Sequence, residues 1–300
     1  MSTDFRAQII APAAAYGQGD TGLFPFDLFD RQCLAQGDSW FSIGSIPPGL
    51  TSNVLAELWL SNATVIVNCA RPSKTLAHMA DTLSETMFLR LLRGPSSFRW
   101  DAILLSGGGN DLIDAASVGP DAPRDRRLLL RPDERTAAPA DATDATGHLS
   151  EDGWHTFERH LGEVFAHFIA ERASGQNWHT PTLLHNYALI VPRPSGAGFI
   201  SGPWLQPALA AFGIPIDDWA GVAAELMKRL DRLLRDLVAA HLAADPADTL
   251  VVVDTQAAGL VPADPTADGV SGDWQNEIHP TREGYKKLGR AWRAVLDPLL

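Results

Sequence analysis

Three short segments carry residue types that together could perform nucleophilic chemistry on a carbonyl group. Ser39 lies in the segment Gly37–Trp40, after a short apolar run. A serine hydroxyl is a weak nucleophile until a base removes its proton, and His279 has a pKa range that suits this role. Glycine, aspartate and serine after a strand also form ordinary turns, so Ser39 gains its meaning from its partners.

A second segment, Gly107–Asp111, could stabilise the negative charge that forms when a serine attacks a carbonyl. Three glycines allow close approach of the backbone to a ligand, and the side-chain amide of Asn110 can donate a hydrogen bond to an oxyanion. A phosphate cradle is the competing interpretation. It is disfavoured because the lysine and the serine or threonine of a P-loop are missing, as is the spacing of a dinucleotide motif.

These segments can meet only if distant parts of the chain share one edge of a sheet. Short apolar runs alternate with longer segments of helical periodicity, which is typical of a parallel sheet flanked by helices. In such sheets ligands bind beyond the carboxyl ends of the strands. The predicted strands are 32–36, 64–69, 101–106, 182–185 and 249–254, and the predicted helices are 51–60, 75–92, 154–172, 217–243 and 281–296.

Composition indicates a globular protein, and we expect one domain over residues 1–300. The chain is 45% hydrophobic, and its net charge of −12 argues against nucleic acid or an anionic membrane as a main partner. Residues 119–147 interrupt the alternation and are predicted to be a flexible insertion, because strand and helix patterns continue on both sides. A Gly- and Pro-rich stretch, 191–207, is a second candidate to cover a pocket.

The two cysteines, Cys33 and Cys69, lie in short apolar runs and are predicted to be buried free thiols, with a disulfide between neighbouring strands as the alternative. The sequence shows neither a signal-peptide pattern nor an apolar stretch long enough to span a bilayer, so we expect a cytoplasmic protein without an integral membrane segment. No metal-binding motif is present. The helix histidines His155, His160 and His167 lack the spacing of a ligand pair.

Taken together, the segments resemble the GDSL, or SGNH, hydrolase superfamily, and the resemblance extends from about Gln32 to Tyr285. It implies an α/β fold of the flavodoxin-like type, a three-layer sandwich with a five-stranded parallel sheet. It also implies that Ser39 is the nucleophile and Asn110 an oxyanion donor. The second sequence block of the superfamily supplies a backbone N–H, usually from glycine, and the matching run has Ser73 in that place.

The last block of the superfamily is Asp-x-x-His, and here the chain departs from it. Asn276 stands where the acid is expected, three residues before His279. An amide can orient a histidine but lacks the charge that stabilises an imidazolium. We therefore expect a compensating carboxylate, with Asp254 as the preferred hypothesis because it ends a predicted strand. Asp273 and Glu277 are weaker candidates.

The resemblance predicts a serine ester hydrolase that acts on a small-molecule ester through an acyl-enzyme, without a cofactor. The oxyanion would be held by the backbone N–H groups of Ser39 and Ser73 and by the Asn110 amide. A catalytically weakened relative that binds an acylated or carbohydrate ligand is the alternative, and a nucleotide-binding protein is a third. Two further groups are open between pocket lining and ordinary packing: residues 185–187, and the tryptophans Trp40, Trp204 and Trp274.

Overall fold

The structure is a computed structural model that describes residues 4–16, 24–42, 52–80, 86–95, 97–135, 145–197 and 202–300. Its strands are β1 (Phe5–Arg6), β2 (Gln8–Ile10), β3 (Arg31–Gly37), β4 (Trp59–Leu60), β5 (Thr64–Asn68), β6 (Ala102–Ser106), β7 (Thr182–His185) and β8 (Leu250–Val253). Its α-helices are α1 (Pro12–Ala15), α2 (Leu76–Ala80), α3 (Thr86–Arg93), α4 (Gly109–Ala116), α5 (Glu151–Ala173), α6 (Gln206–Ala211), α7 (Ile216–Ala244) and α8 (Arg282–Leu296).

Six strands form one parallel sheet in the order β2-β5-β3-β6-β7-β8. Without the edge strand β2, the order is the one found in flavodoxin-like folds, 2-1-3-4-5. The predicted α/β fold is therefore confirmed, but the sheet has six strands rather than five. The additional strand β2 was missed because its three half-exposed or exposed residues are too short a run to show a pattern.

The five predicted strands are all present, and the clearest of them are buried on both faces of the sheet. Every residue of β6 is buried, and β5 is rich in β-branched residues, so both segments are continuous apolar runs. Cys33 lies within β3 and Cys69 directly follows β5. Both are buried and neither forms a disulfide, as predicted.

Two helices confirm the helical periodicity most clearly. Helix α7 buries an apolar stripe with a spacing of three to four residues, including Val222, Leu226, Leu230 and Leu234. Helix α8 begins at its cap Thr281, whose side chain accepts a hydrogen bond from the Gly284 N–H at 3.2 Å. Within the described ranges, no helix is long and apolar enough to span a membrane.

Other predicted helices differ from the structure. The segment 51–60 contains a short 3₁₀ turn, Leu55–Glu57, and the strand β4 rather than an α-helix, and its first residue lies outside the described residues. The segment 75–92 forms α2 and α3, with 81–85 outside the described residues. Helices α4 and α6 were not predicted, because short helices carry too few residues to establish a period.

The described parts of the 119–147 segment pack onto the rest of the chain. Arg135 donates to the Phe212 carbonyl at 2.7 Å, and inside the segment the buried guanidinium of Arg127 forms an ion pair with Glu134. Residues 136–144 lie outside the described residues, as do 198–201 of the second stretch. Flexibility of the insertion and the single-domain organisation stay predictions.

The carboxyl ends of β3, β6 and β7 meet at one edge, where close packing of backbone is required. Gly37 pairs with Ser106 across β3 and β6. A Cβ atom at residue 37 would lie 2.7 Å from the Ser106 Cβ and 3.2 Å from the Phe41 ring. Glycine at this position therefore allows the two strand ends to approach each other.

We predict that Gly37→Ala lowers the free energy of unfolding by about 1–3 kcal/mol, because the added methyl group separates β3 from β6. The measurement is chemical denaturation followed by circular dichroism. Gly119→Ala is the matched control, since a Cβ there has no atom within 4 Å. Equal stability of the two variants would contradict the close packing at Gly37.

Candidate active site

The structure brings together two side chains that are 240 residues apart in the sequence. Ser39, directly beyond the end of β3, lies with its Oγ 2.8 Å from Nε2 of His279. His279 stands in the turn before α8, and both residues are buried. This is hydrogen-bond distance between a hydroxyl group and an imidazole nitrogen, as a proton transfer from serine to histidine would require.

Asn276 fixes the orientation of the His279 ring. Its Oδ1 lies 3.1 Å from His279 Nδ1 and also accepts backbone N–H groups from Ile278 and His279, at 3.2 and 2.8 Å. Because backbone N–H groups need an acceptor, the amide oxygen must face the histidine. The ring therefore carries its proton on Nδ1 and presents the free electron pair of Nε2 to Ser39.

The structure does not bring Asp254 to His279. The Asp254 carboxylate accepts a hydrogen bond from Asn186 at 3.1 Å and lies 3.3 Å from Arg235 on α7. It directly follows β8, and strands β6 and β7 lie between β8 and β3 in the sheet. At roughly 4.8 Å per strand, Asp254 therefore lies on the order of 14 Å across the sheet from the end of β3. The expectation that Asp254 orients the histidine is thus corrected, and Asn276 occupies that position.

Neither weaker candidate replaces the missing carboxylate. Asp273 accepts from Lys287 and from the Val261 N–H, both at 2.6 Å. Glu277 points away from His279 and accepts the backbone N–H groups of residues 204–206. Among the described residues, His279 thus has an amide as its orienting partner and no carboxylate contact.

Burial without a countercharge sets the basicity of the histidine. It lowers the pKa of His279 to about 4, because removal from water disfavours the charged ring. The neutral form of the ring is the one that can accept a proton from Ser39. Burial keeps this form dominant at ordinary pH, and the neutral Asn276 offers little stabilisation to the imidazolium that follows.

The predicted oxyanion donors lie in two loops that are tied together. Asn110, in the first turn of α4, donates from Nδ2 to the Lys74 carbonyl at 2.9 Å. Ser73, which directly precedes Lys74, has a φ of +60°, a left-handed conformation that favours glycine. This backbone geometry agrees with the glycine that the superfamily usually has at this position.

A buried polar network that the sequence did not reveal supports the site from below. Asp38, next to Ser39, accepts hydrogen bonds from Tyr187 at 2.6 Å and from Ser106 at 2.8 Å. His185 in turn lies 2.8 Å from the Ser106 hydroxyl. Burial raises the pKa of Asp38 to about 6 and lowers that of His185 to about 3.

Tyr187 links this network to the segment Gly107–Asp111. Its ring packs against Gly109, where an added Cβ atom would lie 2.8 Å from the ring. The position of residues 185–187 at a strand end was the only sequence signal for this role. Tyr187 does line the cavity beside Ser39, whereas His185 is fully buried beneath it.

Glu277 positions Trp204 against His279. The buried carboxylate accepts N–H groups from Trp204, from Leu205 at 3.0 Å and from Gln206 at 2.7 Å. The Trp204 ring then meets His279 edge to face, with 5.2 Å between the ring centroids. Of the other two tryptophans, Trp40 lines the cavity and Trp274 is part of the core.

One group of potential metal ligands lies elsewhere. His241, Asp245 and Asp248, near the end of α7, have ligand atoms within 4.8 Å of one another. Asp248 is already paired with the buried guanidinium of Arg172, whose positive charge opposes a cation there. None of these residues lines the cavity beside Ser39, so we assign no metal to the site. The three histidines on α5 are exposed.

Comparison with known proteins gives structural relatives only. No protein-family model and no curated protein sequence matches the chain. The lipase Lip_vut3 from a goat rumen metagenome shares 14% identity over 88% of this chain and 96% of its own, with a TM-score of 0.50. Phospholipase A1 from Streptomyces albidoflavus NA297 has 14% identity, coverages of 90% and 99%, and a TM-score of 0.46. The carbohydrate acetylesterase Est24 from Sinorhizobium meliloti shares 15% identity over 90% of this chain and 100% of its own, with a TM-score of 0.44.

The likeness to the rumen lipase shows a shared fold. The strand order of the sheet likewise indicates a flavodoxin-like fold. The chain therefore shares its α/β fold with this lipase, and that fold agrees with the flavodoxin-like sheet predicted from the sequence. Low identity restricts this conclusion to the fold. The chemistry of the site has to follow from its own residues.

The low pKa of His279 predicts that Ser39 stays reactive in acid. We expect phenylmethanesulfonyl fluoride to label Ser39 until the pH falls to about 4, rather than to the ordinary histidine value of roughly 6.5. Intact-mass spectrometry measures the labelling rate, with Ser39→Ala as the unlabelled control. A half-maximal rate near pH 6.5 would contradict the effect of burial.

The fold must be followed by circular dichroism at each pH. His185 and His279 are neutral in the folded protein but gain protons near pH 6.5 when unfolded, so their contribution to stability falls as the pH drops below that value. The loss extends until the pH reaches the folded-state values of about 3 and 4. A loss of labelling counts only where the folded spectrum is retained.

Proposed function

We propose that the protein is a serine ester hydrolase that forms an acyl-enzyme on Ser39. The observation that carries this proposal is the 2.8 Å contact between Ser39 Oγ and His279 Nε2. A buried pair of this kind, oriented by Asn276 and opening onto a cavity, is the arrangement that nucleophilic acyl transfer needs. The shared fold with a protein named as a lipase is consistent with this chemistry.

In the proposed reaction, His279 removes the proton from Ser39 as its Oγ attacks the ester carbonyl. The oxyanion is held by the N–H groups of Ser39 and Ser73 and by the side-chain amide of Asn110. His279 then gives the proton to the departing alcohol oxygen, which leaves an acyl group on Ser39. Water, activated by the same histidine, hydrolyses the acyl-enzyme.

A catalytically weakened binding protein is the second candidate, and the neutral Asn276 favours it. In serine proteases, replacement of the aspartate that orients the histidine by asparagine costs about 10⁴ in turnover. That loss arises partly from the wrong tautomer. Here Asn276 presents its oxygen to Nδ1, which supports the productive tautomer and hence the hydrolase.

The deciding experiment is hydrolysis of p-nitrophenyl acetate and butyrate by the purified protein, without added metal. We expect Ser39→Ala to lower turnover by at least about a thousandfold, because nothing else supplies the nucleophile. Asp254→Ala is the control and should retain nearly full activity, since its carboxylate contacts Asn186 rather than His279. Turnover that survives in Ser39→Ala, or a folded wild type without any, would refute the proposal.

Restoring a carboxylate beside His279 gives a more specific prediction. We expect Asn276→Asp to raise kcat by about tenfold or more and to move the acid limb of the pH profile above 4, because a negative charge stabilises the imidazolium. The measurement is the pH dependence of kcat and kcat/KM. Asn276→Leu is the matched control and should lower kcat, since the ring loses its acceptor. A lower kcat in Asn276→Asp would show that the amide is the required partner.

A further inference from the structure

We infer that the cavity beside Ser39 binds the acyl half of the substrate and accepts a short, uncharged aliphatic chain. This inference rests on the proposed ester hydrolysis and adds the substrate class. It concerns one cavity, which Ser39, Gly109 and Asn110 line at its reactive end.

The walls of the cavity are suited to a hydrocarbon. Four aliphatic side chains face it, contributed by different parts of the fold: Ile113, Ile190, Met227 and Ile278. No lysine or arginine lines it within the part of the chain that the structure describes. A carboxylate or phosphate on the acyl chain would thus be buried without a countercharge, which is costly.

The one ionisable carboxylate in the lining does not change this conclusion. Asp38 is 2% exposed, and its two oxygens already accept from Tyr187 and Ser106. It therefore contributes little surface to the cavity. A polar acyl group finds no exposed partner at Asp38.

Proton transfer decides which half of the ester enters this cavity. His279 must reach the departing oxygen, so the alcohol lies on the His279 side of the reacting carbon. Trp204 packs against His279 on that side, with 5.2 Å between ring centroids. Neither residue lines the cavity, whereas the oxyanion segment of Gly109 and Asn110 does. The acyl chain is therefore the part that extends into it.

The size of the cavity limits the length of the chain. Its volume is about 30 Å³, well below the roughly 300–1,000 Å³ of small-molecule sites, so only a short chain can enter. Ile113 on α4 and Met227 on α7 form walls that belong to helices, so their positions are fixed. We assign to these two side chains the selection of acyl length.

The test measures kcat/KM for p-nitrophenyl acetate, butyrate, hexanoate and octanoate. For the wild type we expect high values for the short esters and a loss of about tenfold or more at octanoate. Met227→Ala and Ile113→Ala should each raise the ratio of kcat/KM for octanoate to kcat/KM for butyrate by about tenfold. Ile113→Phe should leave the acetate ester as the only one that is hydrolysed efficiently. Leu237→Ala, a half-buried change on the same α7 outside the cavity, should leave the profile as it is.

A second series fixes the acyl group and varies the alcohol, with ethyl, butyl and hexyl acetate followed by acid release. We expect the two alanine variants and the wild type to share the same alcohol preference. A change in alcohol preference without a change in acyl preference would overturn the assignment, because the cavity would then hold the departing group.

The outcomes separate this inference from the proposed function. If the esters are hydrolysed through Ser39 but the acyl profile is flat, or is the same in all cavity variants, the inference is wrong and the hydrolase stands. If a folded wild type hydrolyses no ester of either series, both are wrong. A wild-type preference for octanoate over butyrate would also overturn the limit on chain length.

Discussion

The hydrogen bond between Ser39 and His279 depends on the convergence of distant backbone segments at one edge of a parallel sheet. Ser39 is placed by the end of β3, which can approach β6 closely because residue 37 lacks a side chain. His279 is placed by the turn that precedes α8, where Asn276 accepts two backbone N–H groups as well as the ring. The polar network beneath Ser39 then positions the segment Gly107–Asp111 through Tyr187, whose hydroxyl donates to Asp38 and whose ring packs against Gly109.

The same burial that assembles the site also determines its electrostatics. A dry site strengthens every hydrogen bond to a developing oxyanion, but it lowers the pKa of His279 and makes a lone imidazolium costly. An aspartate beside the histidine would relieve that cost, and the chain has Asn276 instead. Its charged neighbour Glu277 serves another purpose, since it binds three backbone N–H groups and so places Trp204 against the histidine. Asn276 therefore supplies the orientation that an aspartate would give, and among the described residues no carboxylate in contact with the ring supplies its charge.

Sequence patterns predicted the central strands well and the short elements poorly. The strands were evident because parallel strands that are buried on both faces must be continuous apolar runs, as β5 and β6 are. Helices α5, α7 and α8 were evident because each repeats its apolar residues over many turns. By contrast β2 and α4 are too short to show a period, and residues 51–60 were assigned to a helix although packing places a 3₁₀ turn and the strand β4 there.

The sequence by itself determined which residue types could act, because nucleophile, base and amide donor are properties of Ser39, His279 and Asn110 and of their order along the chain. Only the tertiary structure decided how the missing carboxylate is replaced. Asp254 follows a strand and was expected near the histidine, but which strand ends are neighbours depends on strand order, and β8 lies three strands from β3. The roles of Tyr187 and Glu277 were likewise decided by contacts between segments far apart in the chain. Sequence spacing describes local geometry, whereas such contacts depend on how the whole sheet is assembled.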